Sequence, residues 1–106
     1  MNRFMRMLVF FDLPVTTKKE RKIAVNFRKF LLNDGYHMIQ YSVYARVCNG
    51  YDAVEKHKKR LASNLPENGS VRLLVITEKQ YQSIEILVGD LTTNDLPIKY
   101  EQLTIF

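Results

Sequence analysis

Asp12 is the carboxylate best placed to do chemistry. It follows Leu8, Val9, Phe10 and Phe11 and directly precedes Leu13-Pro14. Proline has no N–H for a sheet ladder, so an extended segment ends there and leaves Asp12 at the C-terminal edge of a strand. A carboxylate in that position is costly to bury unless it is hydrogen-bonded, paired or ligating a cation. Two readings stand: a turn or helix-capping aspartate, or one oxygen ligand of a hard cation. The second needs more oxygen donors. The neighbouring sequence offers none, whereas a second copy meeting the first across a two-fold axis would bring another Asp12. The usual catalytic signatures are absent: there is no P-loop, no G-x-G-x-x-G, no G-x-S-x-G and no H-E-x-x-H. His37 and His57, on different elements, read as surface or packing residues rather than metal ligands. Cys48, the single cysteine, excludes an intramolecular disulfide and a Cys-rich zinc cluster. It reads as a small apolar filler.

Phosphate recognition is the other chemistry these residue types suggest. Lys18, Lys19, Arg21 and Lys22 crowd the start of a helix, where the macrodipole favours acids instead. Cations placed against a local preference point to a partner, most simply phosphate. Arg46, near the end of a strand whose even face is polar, joins them as a candidate nucleic-acid contact. Lys56-His57-Lys58-Lys59-Arg60 is a second basic run, read equally well as a solvated helix face. The balance of 16 Lys and Arg against 11 Asp and Glu gives a net charge of +5. A homodimer doubles that charge, which favours a polyanion and steers association with it. Six tyrosines and six phenylalanines fall mostly at core-phased positions, so base stacking on single strands is not expected.

The elements that must position these residues follow from periodicity. Met5–Asp12 is nearly continuous apolar sequence, as in a central strand buried on both faces. Thr16 or Thr17 can cap a helix whose core stripe is Ile23, Phe27, Phe30 and Leu31, and Asn33-Asp34-Gly35 closes it. From Ile39 to Val47 the residues alternate, with Ile39, Tyr41, Val43, Ala45 and Val47 on one side. Gln40, Ser42, Tyr44 and Arg46 lie on a wet or interface-facing side. A second helix starts near Asp52, with Val54, Leu61 and Leu65 inward and Lys56, Lys59 and Arg60 outward; Asn64–Gly69 breaks it. Val71–Thr77 reads as a buried strand and Tyr81–Val88 as another. Pro97 interrupts before a short final strand, Lys99–Phe106. At 106 residues, with no repeat or linker, one domain over 1–106 is expected. No apolar run approaches the roughly 18 residues of a membrane span, and the start lacks a signal peptide's h-region, so a cytoplasmic protein is expected. Two helices on one face of a mainly antiparallel sheet place the chain in the α+β class with a ferredoxin-like βαββαβ order. That order wants two strands between the helices, which a bend near Gln40–Ser42 would supply.

Val9-Phe10-Phe11-Asp12-Leu13-Pro14, the basic stretch, Arg21-Lys22-Ile23-Ala24, Gly35 and Gln40-Tyr41-Ser42-Val43-Tyr44 together resemble the CRISPR-associated protein two family. The resemblance is specific from Met5 to Val47. It implies a ferredoxin-like homodimer with facing sheets and a C-terminal strand, about 98–106, crossing to the partner protomer. Tyr44, Leu103, Ile105 and Phe106 are then the expected dimer or partner interface. It further implies a place in spacer acquisition, in which the small dimer bridges dimers of the CRISPR integrase along a double-stranded DNA protospacer. The alternative it carries is a Mg2+-dependent endonuclease or endoribonuclease using Asp12 of both protomers. Asp12 matches the family's strand-ending metal ligand, and Ser42 its strand serine. A nuclease needs an activated water, stabilisation of phosphorane charge and usually a positioned base. One aspartate per chain supplies little of that, so the residues favour the adaptor.

Overall fold

The computed structural model describes residues 3–90 and residue 95. Its elements run β1 (Phe4–Asp12), α1 (Lys18–Asn33), β2 (His37–Gln40), β3 (Val43–Asn49), α2 (Tyr51–Ala62), β4 (Ser70–Thr77) and α3 (Glu78–Gln82). The strands form one sheet in the order β2-β3-β1-β4, and every pairing is antiparallel. This is the expected ferredoxin-like α+β arrangement, with β1 central.

Period-two alternation in β1 builds two different faces. Met5, Met7, Val9 and Phe11 join Phe27 and Leu31 of α1 and Val54 and Leu61 of α2 in the main core. Phe11 meets Phe27 edge-on at 5.3 Å between ring centroids, a favourable aromatic geometry that seats α1 on the sheet. Both long helices therefore cover one face. Arg6, Leu8, Phe10 and Asp12 point to the other, where Leu8, Ala45 and Tyr81 form a second, smaller cluster.

Local chemistry explains the boundaries. Thr17 caps α1 in a reciprocal box: its hydroxyl accepts from the Glu20 N–H at 3.1 Å, and the Glu20 carboxylate accepts from the Thr17 N–H at 2.8 Å. Gly35, at φ +92°, ends that helix in the left-handed region.

The bend near Gln40–Ser42 is present, and several other sequence expectations change. The alternating stretch from Ile39 is two strands, parted at Tyr41-Ser42. Ser42 takes φ +62° and Tyr41 is 89% exposed at the turn, so Tyr41 does not share the inward row. The even side of β3 is not wet either, since Tyr44 and Cys48 lie in the main core. Tyr81–Val88 is not a strand. Thr77 and Gln80 form another capping box that nucleates α3. Tyr81 is buried against the Arg6 guanidinium, 4.2 Å from its ring centroid, while Glu78 pairs with Arg6 at 2.5 and 3.0 Å. That buried pair commits the segment's first turn to docking rather than to a ladder. β4 is also less buried than expected. It is an edge strand whose Val71, Leu73 and Val75 pack on the core while Leu74 is half exposed. Leu65 is exposed too. Pro97 and the expected strand Lys99–Phe106 lie outside the described residues. No helix among the described residues is long and apolar enough to cross a membrane.

Candidate functional site

Asp12 is the last residue of β1 and is exposed. It caps no helix, since Thr17 does that for α1. No side-chain hydrogen bond or ion pair holds its carboxylate among the described residues. Antiparallel pairing sets Asp12 opposite Ser70 and Phe10 opposite Arg72 on β4, and Phe10 opposite Val43 on β3. The result is a shallow hollow of about 260 Å³ at the end of the sheet, lined by Phe10, Phe11, Asp12, Ser42, Val43, Ser70 and Arg72. Its lining includes one aspartate, one arginine and two serines beside apolar residues.

Two backbone contacts fix the hollow. The Ser42 carbonyl accepts a 3.0 Å bond from the Phe11 N–H, tying the β2–β3 turn to the strand that carries Asp12. On the other side Gly69, at φ +96°, lies so close that a Cβ would stand 2.6 Å from the Asp12 carbonyl oxygen. Only glycine suits both that φ and that approach.

The basic residues divide. Lys18, Lys19 and Lys22 are exposed and have no ion pair among the described residues. Arg21 is exposed but engaged, donating to the Val15 and Thr16 carbonyls at 3.2 and 3.0 Å, so it latches the loop before α1. Arg46 is engaged within its own chain. Its guanidinium is part-buried under the helices, donates to the Asp34 carbonyl and stands 3.1 Å from His57 Nδ1. It fits there because Gly35 has no Cβ, which would sit 2.8 Å from Arg46 Nη1. Tyr44, expected at a partner interface, is 2% exposed within its own chain. Leu103, Ile105 and Phe106 lie outside the described residues.

Asp34 is the carboxylate that sequence reasoning took only for a helix terminator. Its oxygens accept from His57 Nδ1 at 2.9 Å and Arg60 Nη1 at 2.8 Å. Nδ1 can donate to Asp34 only when it carries a proton, and it then has no lone pair for Arg46, so the ring presents Nδ1–H to the carboxylate. Burial pulls the Asp34 carboxyl upward, but the bonds from His57 and Arg60 outweigh it and hold it below the ordinary value. Burial likewise keeps His57 below its ordinary value, helped by the Arg46 charge and opposed by Asp34. The expectation of a packing histidine holds. Cys48 is buried with its Sγ 3.4 Å from Met7 Sδ, an apolar filler as expected.

The model of the family described as CRISPR associated protein Cas2 matches residues 5–84. The chain belongs to the Cas2 family. A relative from Acidovorax ebreus named CRISPR-associated endoribonuclease Cas2 is 54% identical over 102 residues, spanning 96% of this chain and all of the relative. A Campylobacter jejuni protein of the same name is 41% identical over 105 residues, spanning 99% of this chain and 73% of its own. The crystal structure of Streptococcus pyogenes Cas2 shares the fold, with a TM-score of 0.59 at 24% identity over 78% of this chain and 99% of that one. The Cas2 match takes in β1, the basic start of α1, both strands of the hairpin and β4, and so every residue of the hollow. Ser70 and Arg72 escaped sequence reasoning because nothing local marks them. Only the β1–β4 register brings them to Asp12.

Proposed function

We propose that two copies of this chain close their open sheet faces against each other and hold duplex DNA for the CRISPR integrase during spacer acquisition in the cytoplasm. The observation that carries this reading is the second sheet face, which among the described residues only the short α3 covers in part. α1 and α2 cover one face, whereas the other leaves Phe10 37% and Leu74 48% exposed beside the Asp12 hollow. Apolar surface of that kind marks an association site. A two-fold dimer through it presents two sets of Lys18, Lys19 and Lys22, a rigid pair of basic patches suited to phosphates read without regard to sequence. The terminal segment about 98–106, with Leu103, Ile105 and Phe106, is the part proposed to cross to the partner or dock the integrase.

The hollow itself favours a second reading, Mg2+-dependent hydrolysis of a nucleic-acid strand, and the naming of the relatives as endoribonucleases supports it. Asp12 and the hydroxyls of Ser42 and Ser70 are hard oxygen donors of the kind magnesium takes. Among the described residues no three acids, histidines or cysteines cluster in one chain, so the partner's copy of the aspartate would complete the set. Magnesium bound there would neutralise and polarise a phosphodiester.

One variant separates the readings. Asp12→Ala should leave DNA insertion by the reconstituted integrase complex near wild type while removing Mg2+-dependent cleavage. Loss of insertion by a folded, dimeric variant would overturn the adaptor.

A further inference from the structure

We propose that Lys29 is a further duplex contact, the far end of a phosphate track in which Lys18, Lys22 and Lys29 run in line along the outer ridge of α1. The inference rests on the reading of this chain as a duplex holder and adds to it how the helix lies on the DNA.

Helical geometry puts the three lysines together. At about 100° per residue, Lys22 stands about 40° and Lys29 about 20° around the α1 axis from Lys18. Phe27, buried in the main core, stands about 180° from Lys18 on the same count. The line of lysines therefore points away from the sheet. A rise of about 1.5 Å per residue makes the ridge from Lys18 to Lys29 about 16 Å long. Each strand of a duplex presents a phosphate about every 3.4 Å of axis, so a ridge of that length passes several of them.

The charge on this ridge is unopposed. Lys18, Lys22 and Lys29 are exposed and have no ion pair among the described residues. Glu20 is the one acid of α1, and its carboxylate is engaged by the Thr17 N–H. The basic run of α2 is different. There Lys58 pairs with Glu55 at 3.4 Å and Arg60 with Asp34 at 2.8 Å, the mixed signs of a solvated face. The macrodipole would account for a cation near the C-terminus such as Lys29, but it opposes Lys18 and Lys22 at the other end. One polyanion lying along the ridge accounts for all three.

Dimerisation leaves the ridge open. Phe27 meets Phe11 edge-on, which seats α1 on the sheet face opposite the one that two copies would close. A two-fold pair therefore carries two such ridges on its outside, each held on a packed helix.

The test uses the full chain as a purified dimer and two DNA duplexes of unrelated sequence, followed by fluorescence anisotropy at several salt concentrations. Lys29→Ala should flatten the slope of log K against log salt by about one unit for each pairing lost, equally for both duplexes. Lys29→Arg should keep the slope. Lys58→Ala removes the same charge from α2 and should leave the slope unchanged. All three should melt near wild type, as exposed positions do. A wild-type slope for Lys29→Ala, beside a flattened one for Lys18→Ala/Lys19→Ala, would overturn the track and leave the duplex-holding reading intact. Equal flattening by Lys29→Ala and Lys58→Ala would overturn it too, because net charge rather than contact would be the cause. So would a Lys29→Ala dimer that binds duplex normally but no longer holds the integrase, since the ridge would then face a protein. A wild-type dimer that binds neither duplex would sink the duplex-holding reading and the track with it.

Discussion

Asp12 and Asp34 both end a secondary-structure element, and the fold treats them in opposite ways. Asp34 follows α1 and is taken inside, where His57 and Arg60 bond its two oxygens and Arg46 takes its carbonyl. Asp12 follows β1 and is left outside, with Arg72 two ladder positions away and no bond to it. A carboxylate whose every acceptor is filled from within its own chain has nothing left for a ligand, and its value is architectural. One held in place by backbone contacts alone, beside a free guanidinium, stores no such stability and keeps its valence for something that arrives. Saturation, more than residue type or position in an element, distinguishes these two acids.

Removing Asp34 should show the largest effect. Asp34→Ala leaves the Arg60 cation without its acid and the His57 donor without its acceptor, while Arg46 keeps the backbone carbonyl it already uses. Losing these hydrogen bonds to a buried carboxylate costs about 1–3 kcal/mol, to be read by chemical denaturation. Asp12→Ala in the same experiment should move stability by no more than about 0.5 kcal/mol, as at an ordinary surface site. Equal losses at the two positions would erase the distinction.

Acid should discriminate next. His57 titrates below its ordinary 6.5 because it is buried beside Arg46, so the unfolded chain takes up that proton first. Its contribution is complete above about pH 6.5 and is lost as pH falls below that value. Asp34, held below its ordinary 3.8, keeps its contribution above that value and loses it as pH falls from there through its folded value. Melting temperature should therefore fall from about pH 7 to 5, and His57→Gln should flatten that fall. A wild-type profile level across this window would contradict a neutral, buried His57.

The local parts of this fold were legible in its residues. Apolar continuity marks β1, the Leu13-Pro14 stop puts Asp12 at its end, and Thr17 with Gly35 bounds α1. The hairpin was half legible: simple alternation hid the Tyr41-Ser42 turn, which fold order alone required. α3 was misread because Ile84, Ile86 and Val88 alternate as a strand does. The overlooked signal was Thr77-x-x-Gln80, a capping box like that of α1. Long-range pairing was not legible. Asp34 with His57 and Arg60, and Asp12 with Ser70 and Arg72, are joined by packing and register, which no spacing in the chain announces. Arg46 shows the converse, an exposed-looking strand cation that a neighbouring glycine lets inside.

The central claim is that this chain holds duplex DNA through the cations left unpaired by its own fold. Salt-dependent binding of the Lys18→Ala/Lys19→Ala double variant to unrelated duplexes tests it most directly. The predicted result is a slope of log K against log salt flattened by about one unit for each lysine–phosphate pairing removed. The weakening should be equal for every duplex sequence, with melting unchanged or slightly raised as repulsion near the α1 dipole is relieved. A folded, dimeric double variant that keeps the wild-type slope would contradict it.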